Sequence, residues 1–489
     1  MRLLGSGGPR MEGMTALLRV RDAIRPSGAA GWDRTEIFLA LGAFAVLCIA
    51  ALSVAPYLIE PDDYAYRASI IAITQGHFLT LSTTQVHALS AQLTRSDGQA
   101  AGGNVRAGSA AGGLPAIAQW VQLPSGRWIS EKDPGYPFLA APFQWLGIIR
   151  LAPLFYGALG GLGLFAGARR WLGRFGGALA VGLFCSSGAA LLFAWRDYMP
   201  TFTEASLIAA GTGALLWAVL ATEASARRRT WAGLAGFVAL EAAVFVRYTD
   251  IVVLGCAVTA VAVAWRRRAV RLPASALGWW LGSVAVAGAG VAVFDDLVYG
   301  GPLTSGYRTG EIRFGLSAVL PNLQRMPAHL IQAMPMLVLG LGALAWIAGR
   351  RVRLRRADGE RAAGARRDFA VGLALAASWF AVWGLYAAYS WTAHPGLSTL
   401  QAARFYVPAI GAIALLAAWL VIRVPPRAAL AAVTAAAVIA VLSGLGVWSF
   451  GGMRPAAGPA VMRHPGGPSG PGRQPHGPAG PAGSPSASG

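Results

Sequence analysis

The chain has 489 residues, a formal net charge of +20 and a hydrophobic content of 55%. Only 13% of its residues are charged and its mean hydropathy is +0.52, which excludes a soluble globular protein because such a fold could not bury that much apolar surface. The positive charge does not indicate nucleic-acid binding, since the arginines stand in short runs between apolar stretches and follow the positive-inside rule. The composition predicts an all-α polytopic membrane protein.

Eleven apolar segments are long enough to cross a bilayer as helices. The first segment is interpreted as an uncleaved span, because its best cleavage site, Ser53-Val54-Ala55, is followed by a proline. The predicted spans are 36–57, 150–168, 174–194, 199–221, 231–248, 249–265, 272–297, 328–348, 369–390, 404–422 and 427–449.

Residues 136–168 are long enough for either one span or two short ones. Two spans would place Arg169 and Arg170 outside and invert every later loop, whereas one span keeps all the arginine runs on the side of the N-terminus. We therefore count one span and interpret 136–149 as an interfacial helix. The run Gly160-Gly161-x-Gly163 within the span is interpreted as close helix packing rather than as a phosphate loop.

This topology predicts a cytoplasmic segment at 1–35 and a multi-span domain at 36–450 in the cytoplasmic (inner) membrane. Two long loops, 58–149 and 298–327, then lie outside, together with a disordered tail rich in Pro, Gly and Ser at 451–489. More than half of the 21 Asp and Glu residues fall on or near the outer surface, which the positive-inside rule does not require. The sequence therefore predicts an acidic site on the outer face.

The first outer loop begins with Glu60-Pro61-Asp62-Asp63-Tyr64, directly after an apolar span. Pro61 ends the span, so Asp62 and Asp63 lie in the first turn of the next helix, where the helix dipole favours anions. The two aspartates could serve only as a helix cap and its solvated neighbour. Alternatively, adjacent carboxylates can bind a divalent cation or take a proton from a hydroxyl. Glu60 is interpreted as a neighbour only.

Basic residues also stand at the outer edge of the membrane. Lys132 is the only lysine, precedes a Pro-Gly turn, and is either a snorkelling cation or a ligand of an anionic lipid headgroup. Arg404 opens a span, which is a costly position unless its guanidinium snorkels or meets an anion such as a phosphate. Three further outer-end motifs are typical of an interfacial belt: Trp195-Arg196-Asp197-Tyr198, Thr201-x-Thr203-Glu204 and Arg247-Tyr248-Thr249-Asp250.

Taken in order, these motifs resemble those of the C-type (GT-C) membrane glycosyltransferases, which include protein O-mannosyltransferases and bacterial aminoarabinose transferases. The likeness spans roughly 36–425 and begins with the paired acids of the first loop. Lys132-Asp-Pro-Gly-Tyr-Pro137 is similar to the family's Lys-x-Pro-Pro or Tyr-Pro-Pro-Gly stretch. Tyr299-Gly-Gly-Pro-Leu-Thr-Ser-Gly-Tyr307 is similar to a loop of its bacterial members, and Arg404-Phe-Tyr-Val-Pro408 to their Arg-Tyr-Leu-Leu-Pro.

The resemblance implies about eleven transmembrane helices and a large first outer loop that carries interfacial helices. It also implies transfer of a hexose or pentose from a polyprenyl-phosphate donor to a lipid, glycan or protein of the cell envelope, by inverting displacement. Asp62 or Asp63 would be the base or, if a divalent cation is used, its ligand. The other residues implied are Asp197 and Glu204 as second acids, Lys132, Arg404 and Arg308 as donor-phosphate ligands, and Tyr64, Tyr307 and His394 in the cavity. Asp133 departs from the family pattern and could pair with Lys132.

Two other classes of function remain open. A transporter or flippase of an anionic lipid-linked substrate would need charges within the spans, where Glu241 is the chief candidate, and the sequence has no two-fold repeat of broken helices. A non-catalytic scaffold would not depend on the outer acids.

Overall fold

The structure is a computed structural model that describes residues 34–54, 58, 60–100, 116–267, 272–307, 313–354 and 359–424, apart from the side chains of 97–100 and 400. Most of the predicted N-terminal segment, the predicted span 427–449, the predicted tail and Arg308 lie outside the described residues.

Helices form almost all of the regular structure in these ranges. Up to residue 220 the elements are α1 (Arg34–Ser53), α2 (Pro61–Thr74), α3 (Thr83–Ala100), β1 (Trp120–Gln122), β2 (Trp128–Ser130), α4 (Gly135–Trp145), α5 (Ala152–Leu172), α6 (Gly176–Cys185), α7 (Gly188–Phe193) and α8 (Thr201–Leu220). The later helices are α9 (Ala226–Val246), α10 (Ile251–Arg266), α11 (Ala274–Tyr299), α12 (Val319–Ala333), α13 (Leu337–Arg353), α14 (Glu360–Ala387), α15 (Thr399–Ala403) and α16 (Ile410–Arg423). Short 3-10 turns at Ile149–Leu151, Tyr248–Asp250, Leu316–Ala318, Trp391–Ala393 and Val407–Ala409 connect some of them.

Within the described residues seven helices are long and apolar enough to cross a membrane, namely α1, α5, α8, α9, α10, α11 and α14. The bent pair α12–α13 makes an eighth if it counts as one span. The prediction of an all-α polytopic membrane protein is confirmed. The total of eleven spans stays a prediction, because the last of them lies outside the described residues.

Three predicted spans have a different form in the structure. The segment 174–194 divides into α6 and α7, because the Ser187 hydroxyl accepts a hydrogen bond from Ala190 N at 3.1 Å and starts a new helix. The segment 328–348 contains Pro335, which cannot continue a helix, and α12 and α13 meet there at 105°. The segment 404–422 becomes regular only at Ile410, after the turn that contains Pro408.

The ambiguous stretch 136–168 holds one span. Helix α4 has 11 residues and is therefore about 16 Å long, too short to cross a bilayer. The 3-10 turn separates it from α5, so the counting of one span and one separate short helix is confirmed.

The interior of the helix bundle is built on close contact between α5 and α8. A Cβ atom added at Gly163 would lie 2.6 Å from the Ala210 backbone, and one added at Gly167 would lie 2.6 Å from Gly213 O. Only glycine permits this approach, so the interpretation of the Gly160–Gly163 run as helix packing is confirmed.

The first long loop, at 58–149, has a small core of its own. Strands β1 and β2 pair antiparallel, with Trp120 opposite Ser130, and together with α2 and α3 they bury Ala68, Ala72, Leu81, Val86, Leu89, Leu93, Ile117 and Trp120. This loop core lies beside the main bundle, and α2 belongs to both, because Tyr66 and Ile70 pack into the main core.

Charged groups gather at the two opposite ends of the bundle. At one end Glu36 binds Arg169, and Asp368 accepts from Trp171 Nε1 at 3.1 Å and from Arg350 at 2.9 Å. The acid-rich end, where α2 begins, carries Glu60, Asp62 and Asp63. The arrangement agrees with an arginine-rich face opposite an acidic one, while the orientation of these faces in the membrane stays a prediction.

Candidate active site

The N-terminus of α2 presents three carboxylates to the bundle. Pro61 at the first helical position has the fixed φ angle that starts a helix. Asp63 caps the turn, since its Oδ2 accepts from Glu60 N at 3.0 Å. Asp62 and Asp63 are successive residues of one helix, so their side chains point in different directions and meet different partners.

Asp62 lies between two cations that come from distant parts of the chain. Its Oδ1 is 3.2 Å from Lys132 Nζ, and its Oδ2 is 2.9 Å from Arg404 Nη1. The side chain is partly accessible, with 16% of its surface exposed. A carboxylate at the site entrance is therefore held in place by two donors and remains within reach of a ligand.

Glu60 and Asp63 lie deeper than Asp62. Glu60 forms an ion pair with the same Arg404, and Asp63 forms one with Arg196, which is itself only 2% exposed. Arg196 Nη2 also lies 4.0 Å from Glu60 Oε2. Three acids and three bases therefore form one cluster, which we call the acid–base cluster: Glu60, Asp62, Asp63, Lys132, Arg196 and Arg404.

Lys132 is positioned by the loop that leads from β2 to α4. Its ammonium group is 3.4 Å from Glu131 Oε1 and 3.4 Å from the Tyr307 hydroxyl, and it lies 4.9 Å from the Tyr307 ring centre. A Cβ atom at Gly306 would lie 2.5 Å from Glu131 Cα, so the glycine-rich second loop packs directly on this segment. Gly135 is equally constrained, because its Cβ would meet Phe245 backbone at 2.3 Å.

Arg404 is held by aromatic rings as well as by acids. Its guanidinium carbon lies 4.8 Å from the ring centre of Trp391 and 4.7 Å from that of Phe405. Cation–π contacts of this kind fix the plane of a guanidinium group while leaving its N–H donors directed at anions.

A second group of buried charges adjoins the acid–base cluster. Arg247 Nη1 is 3.0 Å from Glu204 Oε2, and Asp250 is buried beside this pair. Asp133 Oδ2 accepts from Tyr248 N at 3.4 Å, so it contacts the α9–α10 turn. The residue that departs from the family pattern therefore serves this turn, and no ion pair between Asp133 and Lys132 occurs among the described residues.

The pKa values of the site divide its acids into two kinds. Burial would raise the pKa of Asp62, but Lys132 and Arg404 outweigh burial and lower it below its usual range. Burial raises the pKa of Asp133 to about 7 and that of Asp197 to about 6. Glu60 likewise has a raised pKa because of burial, which Arg404 and Arg196 only partly offset. Asp62 is thus the acid whose pKa its cationic partners lower in spite of burial.

The structure brings together most of the predicted site residues. Asp62, Asp63, Lys132, Arg404 and Tyr307 are in one cluster, while Glu204 lies in the adjoining group. Asp197 contacts α4 through its backbone, since the Tyr136 hydroxyl donates a hydrogen bond to the Asp197 carbonyl oxygen. Tyr64 is half-buried on α2, and His394 is exposed after the Trp391–Ala393 turn, outside the cluster. These placements are observed, and the catalytic roles stay predictions.

Sequence reasoning missed three members of the site. Glu60 was interpreted as a mere neighbour, yet it is 4% exposed and pairs with Arg404. Arg196 and Arg247 stand in motifs that could equally form an interfacial belt, and in the structure each pairs with a buried acid. In the sequence, each of these arginines follows directly after an apolar span. Interfacial belt residues show the same pattern, so it does not distinguish a belt arginine from a site arginine.

The residues present do not fit a divalent metal ion in this arrangement. Both oxygens of Asp62 face protein cations, and Asp63 is turned towards Arg196, so the two carboxylates do not converge. Within the described ranges no group of three or more His, Cys, Asp or Glu residues is placed to hold a metal. The use of a divalent metal ion stays a prediction.

No family model and no curated protein matches the sequence. Among solved structures the chain is similar to ArnT, an aminoarabinose transferase from Cupriavidus metallidurans, bound to undecaprenyl phosphate, at 18% identity and a TM-score of 0.50 over 85% of this chain and 64% of that one. The apo form of the same ArnT (16% identity, TM-score 0.46) covers 80% of this chain and 60% of its own. An apo oligosaccharyltransferase from Archaeoglobus fulgidus (11%, TM-score 0.42) covers 78% and 50%.

This chain therefore spans between half and two thirds of the length of the proteins it resembles. At these identities the likeness concerns the fold. The order of motifs and the likeness to ArnT agree with each other, and both lead to one architecture. The chain has a fold similar to that of ArnT, as its resemblance to the GT-C membrane glycosyltransferases implies.

Proposed function

We propose that this protein is a membrane glycosyltransferase that moves a sugar from a polyprenyl-phosphate donor to an acceptor hydroxyl on the outer face of the cytoplasmic membrane. The observation that carries the proposal is the placement of Asp62 between Lys132 and Arg404, at the acid-rich end of a bundle with this fold. The ArnT structure with undecaprenyl phosphate supports a donor of this chemical class.

Lys132 and Arg404 are the proposed ligands of the donor phosphate. The Lys132 ammonium group lies 3.2 Å from the Asp62 carboxylate, and the Arg404 guanidinium group lies 2.9 Å from it. Two cations this close to one carboxylate can also reach two oxygens of one phosphate. An apolar cleft leads away from Lys132 between α2, α4 and α11, and its walls include Ile73, Phe138 and Phe294.

Asp62 is the proposed base, and Asp63 is a structural residue. Asp63 caps α2 and pairs with a buried arginine, so both of its functions are internal to the fold. Asp62 is more accessible, and the cations that lower its pKa are those that the donor phosphate engages. A base that loses these contacts to the phosphate becomes a better proton acceptor.

The proposed reaction is one displacement at the anomeric carbon. The acceptor O–H gives its proton to the Asp62 carboxylate while its oxygen forms the new bond to carbon. The bond from carbon to the phosphate oxygen breaks on the opposite side, and its electron pair stays on the polyprenyl phosphate. Lys132 and Arg404 stabilise the charge that develops on this leaving group.

The second acids remain candidates within this proposal. Glu204 is paired with Arg247, and the Asp197 carboxylate belongs to a buried turn, so each supports the site from outside the acid–base cluster. The mid-span Glu241 on which a transporter would depend accepts a hydrogen bond from the Ser283 hydroxyl at 2.8 Å. That contact joins α9 to α11 and favours a packing role.

The test is transfer of labelled sugar from a polyprenyl-phosphate donor to envelope acceptors by proteoliposomes supplied with an envelope extract. We expect Asp62→Asn to lower transfer at least about 100-fold, in the range of a lost general base, while expression and thermal unfolding stay those of the wild type. Asp296→Asn, on the exposed face of α11, is the matched control and should retain transfer.

Full transfer by Asp62→Asn would overturn this assignment. Movement of the donor across the bilayer without a new glycosidic bond would instead identify a transporter.

A further inference from the structure

The cations that the donor phosphate needs are already neutralised within the protein. Lys132 is paired with Asp62 and Glu131, and Arg404 is paired with Asp62 and Glu60. A phosphate cannot take full advantage of these donors while the carboxylates hold them, because each N–H group satisfies one acceptor at a time. Donor binding and these ion pairs therefore compete.

The pairing of the deeper groups is incomplete. Glu60 Oε1, Arg404 Nε and two nitrogens of Arg196 are buried and lack a hydrogen-bond partner among the described residues. The arginine nitrogens are donors that an anion could use, and buried charged groups with spare donors are costly unless a ligand completes them. The cluster thus has unused capacity for an anion, next to carboxylates that can give up their places.

Resting on the proposed function, we propose that Glu60 and Asp62 are internal counter-ions that hold Lys132 and Arg404 in the empty site and are exchanged for the donor phosphate. Glu60 is then a positioning residue, which acts through Arg404 without touching the reacting atoms. Asp62 has two successive roles, first as a counter-ion and then, once displaced, as the base.

The exchange also links the proton to product release. After transfer Asp62 carries the proton of the acceptor, so it is neutral and no longer competes for Lys132 and Arg404. Loss of that proton to water restores the carboxylate, which binds the two cations again and favours departure of the polyprenyl phosphate. The same side chain thereby accepts the proton and displaces the leaving group from its site.

The experiment measures binding of undecaprenyl phosphate to the full chain in nanodiscs of phosphatidylcholine. We expect Asp62→Asn and Glu60→Gln each to lower the Kd roughly 10-fold or more, a usual size for coupling between two ligands of the same groups. Asp63→Asn removes the same charge from the neighbouring position but contacts Arg196, and Asp296→Asn removes a surface charge. Asp296→Asn should change the Kd less than about 3-fold, because a distant, exposed charge is screened. Asp63→Asn should tighten binding less than Glu60→Gln does, because its carboxylate pairs with Arg196 and not with Lys132 or Arg404.

A second comparison separates exchange from a general effect of charge. With Arg404→Gln in the background, Glu60→Gln should no longer tighten binding, because the competing pair has already been removed. Thermal unfolding of each variant confirms that the binding measurement concerns folded protein. Equal or weaker binding by either Asp62→Asn or Glu60→Gln, or the same tightening by Asp63→Asn, would overturn the exchange.

Failure of the exchange and failure of the proposed function give different results. If Asp62→Asn abolishes sugar transfer and leaves the Kd unchanged, the exchange is wrong and the glycosyltransferase assignment stands. If the wild type neither binds undecaprenyl phosphate above the phosphatidylcholine background nor transfers sugar, both are wrong.

Discussion

Arg196 should be one of the residues on which the stability of the protein depends most strongly. Its side chain and that of Asp63 are both 2% exposed, and they form an ion pair deep in the acid–base cluster. Replacement by Gln leaves Asp63 buried without its partner and takes a cation away from Glu60. Breaking a buried pair from one side costs about 3–5 kcal/mol, so we expect Arg196→Gln to lose an amount in this range.

The assay is reversible unfolding by SDS in mixed micelles, followed by circular dichroism. Asp63→Asn should cost a similar amount, because it removes the other partner and weakens the cap of α2. The double variant should cost at least about 1 kcal/mol less than the sum, since it leaves neither charge alone. Arg228→Gln, an exposed arginine of α9, is the control and should stay within about 0.5 kcal/mol of the wild type.

The reasoning is refuted if Arg196→Gln unfolds at the same SDS fraction as Arg228→Gln. Full additivity of Arg196→Gln and Asp63→Asn would also refute it, because the two side chains would then be independent.

Two further predictions concern the loop that carries Lys132. Gly135→Ala places a Cβ atom 2.3 Å from the backbone of Phe245, so it should lower the free energy of unfolding by about 1–3 kcal/mol and also lower sugar transfer. Gly278→Ala is the control, because the space around Gly278 is open, and it should change neither quantity. The SDS assay measures the first effect and the transfer assay the second. Burial raises the pKa of Asp133 to about 7 in the folded protein, whereas its pKa in the unfolded chain is about 4. The contribution of Asp133 to stability is therefore complete below about pH 4 and is lost as the pH rises through 7. Stability should therefore fall between pH 5 and 7 in the wild type and fall less in Asp133→Asn; identical pH profiles would contradict the burial of an ionisable Asp133.

The helical membrane fold followed from the sequence because apolar runs of span length have few alternative structures. Two predicted spans are interrupted in the structure, and each interruption has a local cause. The Ser187 hydroxyl starts a new helix within one span, and Pro335 bends another. A hydropathy average over a whole window locates the spans, but it is insensitive to the single residues that break them.

The site was predictable only in part, for a related reason. Asp62 and Lys132 stood out by rarity and position, and the structure places them 3.2 Å apart. Arg196 and Arg247 stood in motifs that an interfacial belt explains equally well, and only the fold shows which arginine faces an acid. Glu60 was undervalued because its partner, Arg404, lies more than 300 residues away along the chain.

Helix α2 links the candidate site to the small core of the first loop. Its first turn holds the carboxylates, and its later turns, through Ala68 and Ala72, form part of the small core of the first loop. A helix of 14 residues is about 21 Å long, so α2 alone connects the carboxylates with the core of the loop. A substitution in the loop core that shifts α2 would therefore also shift the carboxylates of its first turn, so one helix couples the packing of the loop to the geometry of the candidate site.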